Sequence, residues 1–361
     1  MTANSARMLV FVGSYAEASD SGVYVYSLDS TTGKLALLDQ AAGLKNPTFL
    51  NLDAERLKLY SIEETETAAG RSGGAVSFGI DPRQGTITRL NQAATVDSPT
   101  CHIQRDAEDR YLVVASYHGG KVGLLSLHED GTVGKLLDTK QHEGRSVHPE
   151  RQTQPHPHSA FFSPDEQYVY VPDLGLDRIM TYRIDKVKEA LVHIGETEIH
   201  PGAGPRHLVF HPEGKYAYVI NELDSTITSL RYDASTGKLQ PMETVPTLPA
   251  DYHGENTCAE ITISRDGRFL YGSNRGHDSI AVYSVDGESG RLTLIEHVST
   301  EGKHPRHFAL TPDGDFLIAA NRDTNNLTVF RVDRESGKLT FTGSSVPVPK
   351  PVCVQMAYFS A

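Results

Sequence analysis

The sequence predicts an all-β protein, a seven-bladed β-propeller of four-stranded antiparallel blades. A unit of about 50 residues recurs along the 361-residue chain, and this is the length of a propeller repeat. Each unit carries four short runs of alternating β-branched and aromatic residues separated by turn residues, as strands do. The last unit is incomplete, and the strand that it lacks stands at the other end of the chain. We therefore expect residues 1–361 to form a single propeller domain.

The repeat is clearest where GAGPRHLVFHPEGKYAYVINE at 202–222 returns as GKHPRHFALTPDGDFLIAANR at 302–322. Between these two stretches, TCAEITISRDGRFLYGSNR at 257–275 has the same shape. Three earlier units contain NPTFLNLDAERLKLYSIEE at 46–64, TCHIQRDAEDRYLVVASY at 100–117 and HPHSAFFSPDEQYVYVPDL at 156–174.

Within a unit, the elements follow a constant order. The first strand ends in a turn such as HPEG, RDGR or TPDG, where Pro and Asp-Gly readily adopt the turn backbone angles. A second strand and a short polar loop follow. The third strand, for example DSTITSLRY or HDSIAVYSV, leads through a hairpin such as ASTGKL or GESGRL into the fourth strand. No stretch of about 12 residues shows the period of about 3.6 that indicates a helix.

The two ends of the chain should complete one blade together. KPVCVQMAYFS at 350–360 supplies the first strand of a unit and then stops, whereas MLVFVGSY at 8–15 reads as a second strand. We expect residues 8–15 to pair with the strand near Val352 to Met356. This pairing closes the ring and hides the sheet edges of the end blades.

The composition indicates a small-molecule partner. The net charge is −12 and no Lys/Arg cluster occurs, so we expect no nucleic-acid binding. No apolar run approaches the roughly 18 residues of a membrane helix, so we expect no membrane association. The three cysteines, Cys101, Cys258 and Cys353, are far apart and suggest buried free thiols in a cytoplasmic protein.

Charged residues recur at the ends of strands that should lie close to the propeller axis. The start of a first strand and the end of a second strand lie on the same face, because successive strands alternate in direction. We expect side chains at these positions to surround one mouth of the channel, and loops around 65–74 and 141–156 to overhang it. The first-strand positions hold His158, Arg206 and Arg306, and the second-strand positions hold Glu222, Arg275 and Arg322, with Glu64, Tyr117 and Tyr15 in matching places.

Four arginines at one mouth of an acidic protein would repel each other unless carboxylates or an anionic ligand compensated them. The planar guanidinium group binds two oxygens of a carboxylate or phosphate at once. The sequence therefore predicts a small anionic ligand. A catalytic metal is not expected, because the arginines repel a cation, and no cofactor is expected. The HPH stretch at 156–158 is read as hydrogen-bonded histidines.

The motifs PHPHSAFFSPD, GAGPRHLVFHP, VINELDS, GSNRGHDSIAVY and HPRHFALTPDG resemble the bacterial lactonase family of seven-bladed propellers. This family includes propeller-type 6-phosphogluconolactonases and a fungal 3-carboxy-cis,cis-muconate lactonizing enzyme, and the resemblance covers essentially the whole chain. It implies a catalytic set made of His158, Arg206, Glu222 and Arg275. To this set we add Arg306, Arg322, His156 and His207 as predicted substrate-binding residues.

The resemblance implies hydrolysis of a sugar lactone, above all 6-phosphogluconolactone to 6-phosphogluconate. Glu222 or His158 would activate water, and Arg206 would stabilise the oxyanion. Arg275, with Arg306 or Arg322, would hold the phosphate. Two alternatives stay open at this point. The first is a cycloisomerase that acts on a carboxylated muconate, where the same arginines would hold the carboxylates of the substrate. The second is a propeller that binds ligands without catalysis, which would not need charged residues that converge on one mouth.

Overall fold

The computed structural model describes residues 6–68 and 70–360. This part of the chain forms 28 β-strands in seven sheets of four strands, and every strand pair is antiparallel. The predicted fold, a seven-bladed propeller, is confirmed. No helix of the described residues is long and apolar enough to cross a membrane.

Most innermost strands contact the innermost strand of the next blade around the axis. These strands are β4 (Leu50–Asp53), β8 (His102–Arg105), β12 (Phe161–Phe162), β16 (Pro205–Phe210), β20 (Thr257–Ile263), β24 (Pro305–Leu310) and β28 (Pro351–Phe359). The second strands are β5 (Lys58–Thr67), β9 (Tyr111–Ser116), β13 (Val169–Asp173), β17 (Tyr216–Asn221), β21 (Phe269–Arg275), β25 (Phe316–Asn321) and β1 (Arg7–Ser14).

The third and fourth strands of each blade follow outward. The third strands are β6 (Gly70–Asp81), β10 (Lys121–Leu127), β14 (Arg178–Asp185), β18 (Thr226–Asp233), β22 (Ser279–Val285), β26 (Asn326–Val332) and β2 (Val23–Leu28). The outer strands are β7 (Thr86–Ala94), β11 (Val133–Gln141), β15 (Ala190–Glu198), β19 (Lys238–Pro246), β23 (Leu292–Ser299), β27 (Leu339–Pro347) and β3 (Leu35–Ala41).

The ring closes where the sequence predicts. Strand β1 pairs with β28, so that Val10 lies opposite Met356 and Gly13 opposite Cys353. The C-terminal strand is longer than expected, because its pairing continues to Phe359 opposite Arg7. One blade is thus built from both ends of the chain.

A repeated hydrogen bond joins each of several blades to the next and explains the glycine of the hairpin motif. The hydroxyl of Tyr170 on β13 donates to the carbonyl oxygen of Gly237, in the β18–β19 hairpin of the next blade, over 2.6 Å. Gly237 has a φ of +71°, and a Cβ there would lie 2.5 Å from the ring of Tyr168. The hairpin therefore requires glycine for both conformation and space. The same bond joins Tyr60 to Gly131, Tyr218 to Gly290 and Tyr271 to Gly337.

Several innermost strands shift register near their first residues, and in β16 and β24 the shift contains an arginine. The register between β16 and β17 shifts between Pro205 and His207, and that between β24 and β25 shifts between Pro305 and His307. The residue inside each of these two shifts is Arg206 or Arg306. A β-bulge turns the side chain of the extra residue away from the regular pleat.

One of the two predicted overhanging loops is a strand pair instead. Residues 65–67 extend β5 and residues 70–74 extend β6, and the two extensions pair so that Glu66 lies opposite Arg71; the prediction of a loop there was wrong. The cause is that Thr65 and Thr67 continue the strand alternation, and the glycines at 70, 73 and 74 do not interrupt the pairing. Residues 142–160 between β11 and β12 do form an irregular connection.

Candidate active site

A cavity of about 340 Å³ opens at one end of the axis, and we call it the arginine cavity. Its walls come from the starts of innermost strands and the residues at the ends of second strands. Five of the eight predicted site residues line it, namely His158, Glu222, Arg275, Arg306 and Arg322. Tyr15, Glu64 and Tyr117, at matching positions of other blades, line it as well.

Glu222 is the carboxylate around which the arginines at this cavity gather. It directly follows β17, and only 5% of its surface is exposed. Its Oε2 atom lies 3.0 Å from Nη2 of Arg275 and 3.2 Å from Nε of Arg206. Its Oε1 atom accepts a hydrogen bond of 2.5 Å from Nη2 of Arg151. Burial opposes ionisation of Glu222, but the charges of these arginines outweigh it and hold the pKa of the carboxyl far below its usual range.

Arg206 lies beneath the cavity and does not line it. The side chain is buried, and its Nη1 donates to the carbonyl oxygen of Ala259 on β20 over 2.7 Å. Burial and the nearby charges of Arg275 and Arg306 lower the pKa of Arg206 to about 9, which leaves it positively charged at neutral pH. The side chain of Arg206 was expected to face the mouth, but the structure places it behind Glu222. The cause is the bulge of β16 together with the hydrogen bond from Arg206 to Ala259, which directs the side chain between two blades.

Arg151 is a charged residue of the cavity that the sequence did not reveal. It belongs to the irregular connection before β12, and its Nη2 also donates to the hydroxyl of Tyr117 over 3.2 Å. The repeat pattern has no counterpart for this segment, so no aligned position pointed to it. The only signal was the length of the 141–156 insertion, which was expected to overhang the mouth.

His158 lines the cavity and is 4% exposed. Burial and the charge of Arg206 hold the pKa of its imidazole well below the usual value, so the ring is neutral. Its Nδ1 atom is buried and has no hydrogen-bond partner among the described residues. Tyr117 packs against the ring with centroids 5.6 Å apart.

The other two arginines that line the cavity differ in whether a carboxylate neutralises their charge. Arg322 forms an ion pair of 2.6 Å with Asp323, and its Nη2 lies 3.4 Å from Nδ1 of His304. Arg306 has no ion pair or hydrogen bond with any side chain or backbone group of the described residues. Its guanidinium carbon lies 5.8 Å from the ring centre of Tyr15. Arg306 therefore presents an uncompensated positive charge beside the cavity.

His156 and His207, predicted to bind substrate, do not line the arginine cavity. The ring of His156 stacks on Tyr117 at 4.1 Å, and its Nδ1 lies 2.8 Å from the carbonyl oxygen of Tyr117. His207 lines a second cavity and hydrogen-bonds Glu260. For His207 the reason is depth, because each residue along an innermost strand lies about 3.3 Å further from the mouth than the one before it. His156 precedes β12, and its contacts with Tyr117 hold its ring away from the cavity.

No group of three or more His, Cys, Asp or Glu side chains in the described ranges is arranged to hold a metal ion. All three cysteines are unpaired. That the site works without a metal ion stays a prediction, which a chelation experiment would test.

The fold and the cavity define a seven-bladed propeller with a polar, arginine-rich site at one end of its axis. Comparison with known proteins specifies the family. A family model described as lactonase, 7-bladed beta-propeller matches residues 9–356, and the chain belongs to this family.

Individual relatives agree over nearly their whole length. The chain is 40% identical over 354 residues to a 6-phosphogluconolactonase of Bacillus subtilis, covering 98% of this chain and 99% of that protein. The solved structure of a periplasmic gluconolactonase of Pseudomonas aeruginosa superposes with a TM-score of 0.92 at 32% identity, covering 99% of this chain and 100% of that one. A structure of a protein from Lactobacillus plantarum gives a TM-score of 0.90 at 36% identity, covering 97% and 99%.

Proposed function

We propose that this protein hydrolyses a phosphorylated sugar lactone, 6-phosphogluconolactone, to 6-phosphogluconate in the arginine cavity. The observation that carries the proposal is the uncompensated guanidinium group of Arg306 beside a neutral His158 in one cavity. The name of the Bacillus subtilis relative supports the same substrate. The unpaired cysteines are consistent with a cytoplasmic location.

The charge of the cavity favours an anionic substrate. Glu222 carries one negative charge and contacts three guanidinium groups, those of Arg151, Arg206 and Arg275. Arg306 adds a further positive charge that no carboxylate of the described residues compensates. A phosphate group would bind Arg306 through charge-assisted hydrogen bonds, which are about twice as strong as neutral ones.

His158 is a better general base than Glu222. Both carboxylate oxygens of Glu222 already contact guanidinium groups, those of Arg151, Arg206 and Arg275. The neutral imidazole of His158 lines the cavity, and its Nδ1 atom has no hydrogen-bond partner among the described residues. We therefore propose that Glu222 orients Arg151 and Arg275, and that His158 transfers the proton.

The reaction needs one proton acceptor and one stabilised oxyanion. His158 removes a proton from water as the water oxygen attacks the lactone carbonyl carbon, and the carbonyl oxygen becomes negatively charged. Arg275, which is 7% exposed and lines the cavity, supplies positive charge for this oxyanion. The ring C–O bond then breaks, and protonated His158 returns its proton to the departing ring oxygen, which becomes a hydroxyl group.

The test follows the opening of 6-phosphogluconolactone above its spontaneous rate in wild type and His158→Gln. We expect the variant to lose a hundredfold or more in kcat, within the range of about 10²–10⁴ typical of a lost general base, with a smaller change in KM. His193→Gln, on the exposed outer strand β15, is the matched control and should retain the wild-type rate.

EDTA should leave the wild-type rate unchanged. A wild-type rate equal to the spontaneous rate would refute the proposed substrate, and full activity in His158→Gln would refute the assignment of the base. Turnover of a carboxylated muconate without turnover of the lactone would favour the cycloisomerase.

A further inference from the structure

A second cavity, also of about 340 Å³, lies toward the far ends of the innermost strands, and we call it the histidine chamber. It is lined by three histidines and a glutamate, His102, His207, His307 and Glu260. All four side chains are buried, and none of them lines the arginine cavity. The mechanism proposed above does not use this chamber.

The hydrogen bonds of Glu260 settle the tautomers of two histidines. Interactions with His207 and His307 outweigh the effect of burial and hold the pKa of Glu260 well below its usual value, so its carboxylate only accepts. His207 therefore carries its proton on Nδ1, which lies 3.1 Å from Oε2 of Glu260. His307 donates from Nε2 over 3.0 Å, while its Nδ1 accepts from the backbone N–H of Val354 over 3.3 Å.

His102 has the opposite arrangement. Its Nδ1 accepts from the backbone N–H of Ala160 over 3.3 Å, so the single proton of the neutral ring lies on Nε2. Burial and the neighbouring His207 keep the pKa of His102 well below the usual value, which keeps the ring neutral.

The chamber thus presents one unsatisfied donor and one unsatisfied acceptor. Nε2–H of His102 and the bare Nε2 of His207 are both buried without a partner among the described residues. The two ring centres are 5.6 Å apart, so one small group can reach both. Buried polar atoms in native proteins almost always have a partner, and the partner here must accept from one histidine and donate to the other. A hydroxyl group does both.

Charge and shape narrow the ligand further. Among the described residues no Lys or Arg lines the chamber and its one carboxylate, that of Glu260, is ionised, which disfavours an anion. The proton on Nε2 of His102 prevents that nitrogen from binding a metal. Phe49, Phe161 and Phe308 provide apolar walls, and Asn51 and Gln104 place amide groups at a half-buried rim. The volume is within the range of about 300–1,000 Å³ typical of small-molecule sites.

We propose that the histidine chamber is a second binding site, for a small uncharged ligand with a hydroxyl group on a ring, such as a monosaccharide. The hydroxyl accepts from His102 and donates to His207, the ring packs on the phenylalanines, and the amides hold further hydroxyl groups. This site is separate from the lactone site and does not depend on the reaction assigned to it.

The test measures binding of D-glucose and of cyclohexanol to the full chain by ligand-observed NMR and titration. We expect at least one probe to bind with a dissociation constant of about 1 mM or tighter. His102→Phe keeps the ring volume but removes the donor, and it should weaken binding by about tenfold or more. Arg306→Ala, in the other cavity, is the matched control and should bind the probe as wild type does.

A second variant keeps the test informative if His102→Phe does not fold. Gln104→Phe, at the half-buried rim, narrows the chamber without changing a buried group and should also reduce binding. Absence of binding by both probes would overturn the proposal, as would equal binding by wild type and both chamber variants. A crystal soaked with D-glucose should show the sugar beside His102, and a sugar found only in the arginine cavity would contradict the proposal.

Discussion

Two buried glutamates, at different depths along the same axis, are compensated in opposite ways. Glu222 contacts three guanidinium groups, whereas Glu260 contacts two imidazole rings that are hydrogen-bond donors. Burial disfavours the charged form of both, and in both the partners prevail and lower the pKa. The first arrangement leaves an excess of positive charge around its cavity, whereas in the second the carboxylate of Glu260 is itself the charged group and its two partners are neutral. A buried carboxylate therefore contributes to an anion site in one place and to a site that disfavours anions in the other.

The two cavities draw on adjacent residues of the same motif. In the repeated Pro-Arg-His stretch of β24, Arg306 lines the arginine cavity and His307 lines the histidine chamber. In β16, Arg206 contacts Glu222, while His207 contacts Glu260. One tripeptide at the start of an innermost strand thus serves both sites, because the bulge turns the arginine one way and the strand carries the histidine deeper.

The largest expected difference between the two sites is the loss of stability when each glutamate is replaced by glutamine. Glu222→Gln leaves buried guanidinium groups without a carboxylate, and we expect the free energy of unfolding to fall by about 3–5 kcal/mol. Glu260→Gln leaves neutral imidazoles with an imperfect partner, and the loss should be about 1–3 kcal/mol. The chain has no tryptophan, so urea unfolding is best followed by circular dichroism. Equal losses would contradict the contrast between the two glutamates.

The buried neutral histidines predict loss of stability in acid. The pKa values of His102 and His158 lie well below 6.5, and that of His207 is lowered to about 4, so each takes up a proton on unfolding below pH 6.5. The free energy of unfolding should fall with decreasing pH from that point, by up to about 1.4 kcal/mol per pH unit for each histidine. Glu222 and Glu260 act in the same direction below their usual pKa of 4.5.

Urea unfolding at about pH 7.5 and about pH 5.5 measures this acid effect. In His102→Phe one of these contributions is absent, so the difference between the two pH values should shrink, whereas the exposed His193→Gln should leave it unchanged. Equal stability at both pH values would show that these histidines are not neutral in the native protein.

A smaller effect is expected from Arg306, the arginine of the cavity that has no ion pair with any described residue. Arg306→Ala should raise KM for 6-phosphogluconolactone by about 10–100-fold, the value of one charged hydrogen-bonding group, with less change in kcat. Unphosphorylated gluconolactone should show little change in KM. Arg331→Ala is the matched control, because Arg331 lies on β26 and donates to the carbonyl oxygen of Thr31 on the surface. An equal rise for both lactones would mean that Arg306 does not bind the phosphate.

The repeat made most of the fold predictable, and with it part of the site. Glu222, Arg275 and Arg322 stand at corresponding strand ends, so their convergence on one mouth followed from the alternation of strand direction. Arg151 could not be found in this way, because it lies in a connection that no other blade repeats. His207 could not be assigned to the second cavity, because depth along the axis depends on strand register and on the bulge, and neither is evident from residue type.

The amino-acid sequence by itself determined the seven blades, the closure of β1 on β28 and the identity of the charged residues at the mouth. These depend on local alternation, turn chemistry and the count of repeats, which a linear pattern records. The tertiary structure alone decided which charges compensate each other, which arginine is left free and which histidine nitrogen carries the proton. These depend on distances of a few ångströms between residues far apart in the chain, and the electrostatic balance of a buried group changes over that range.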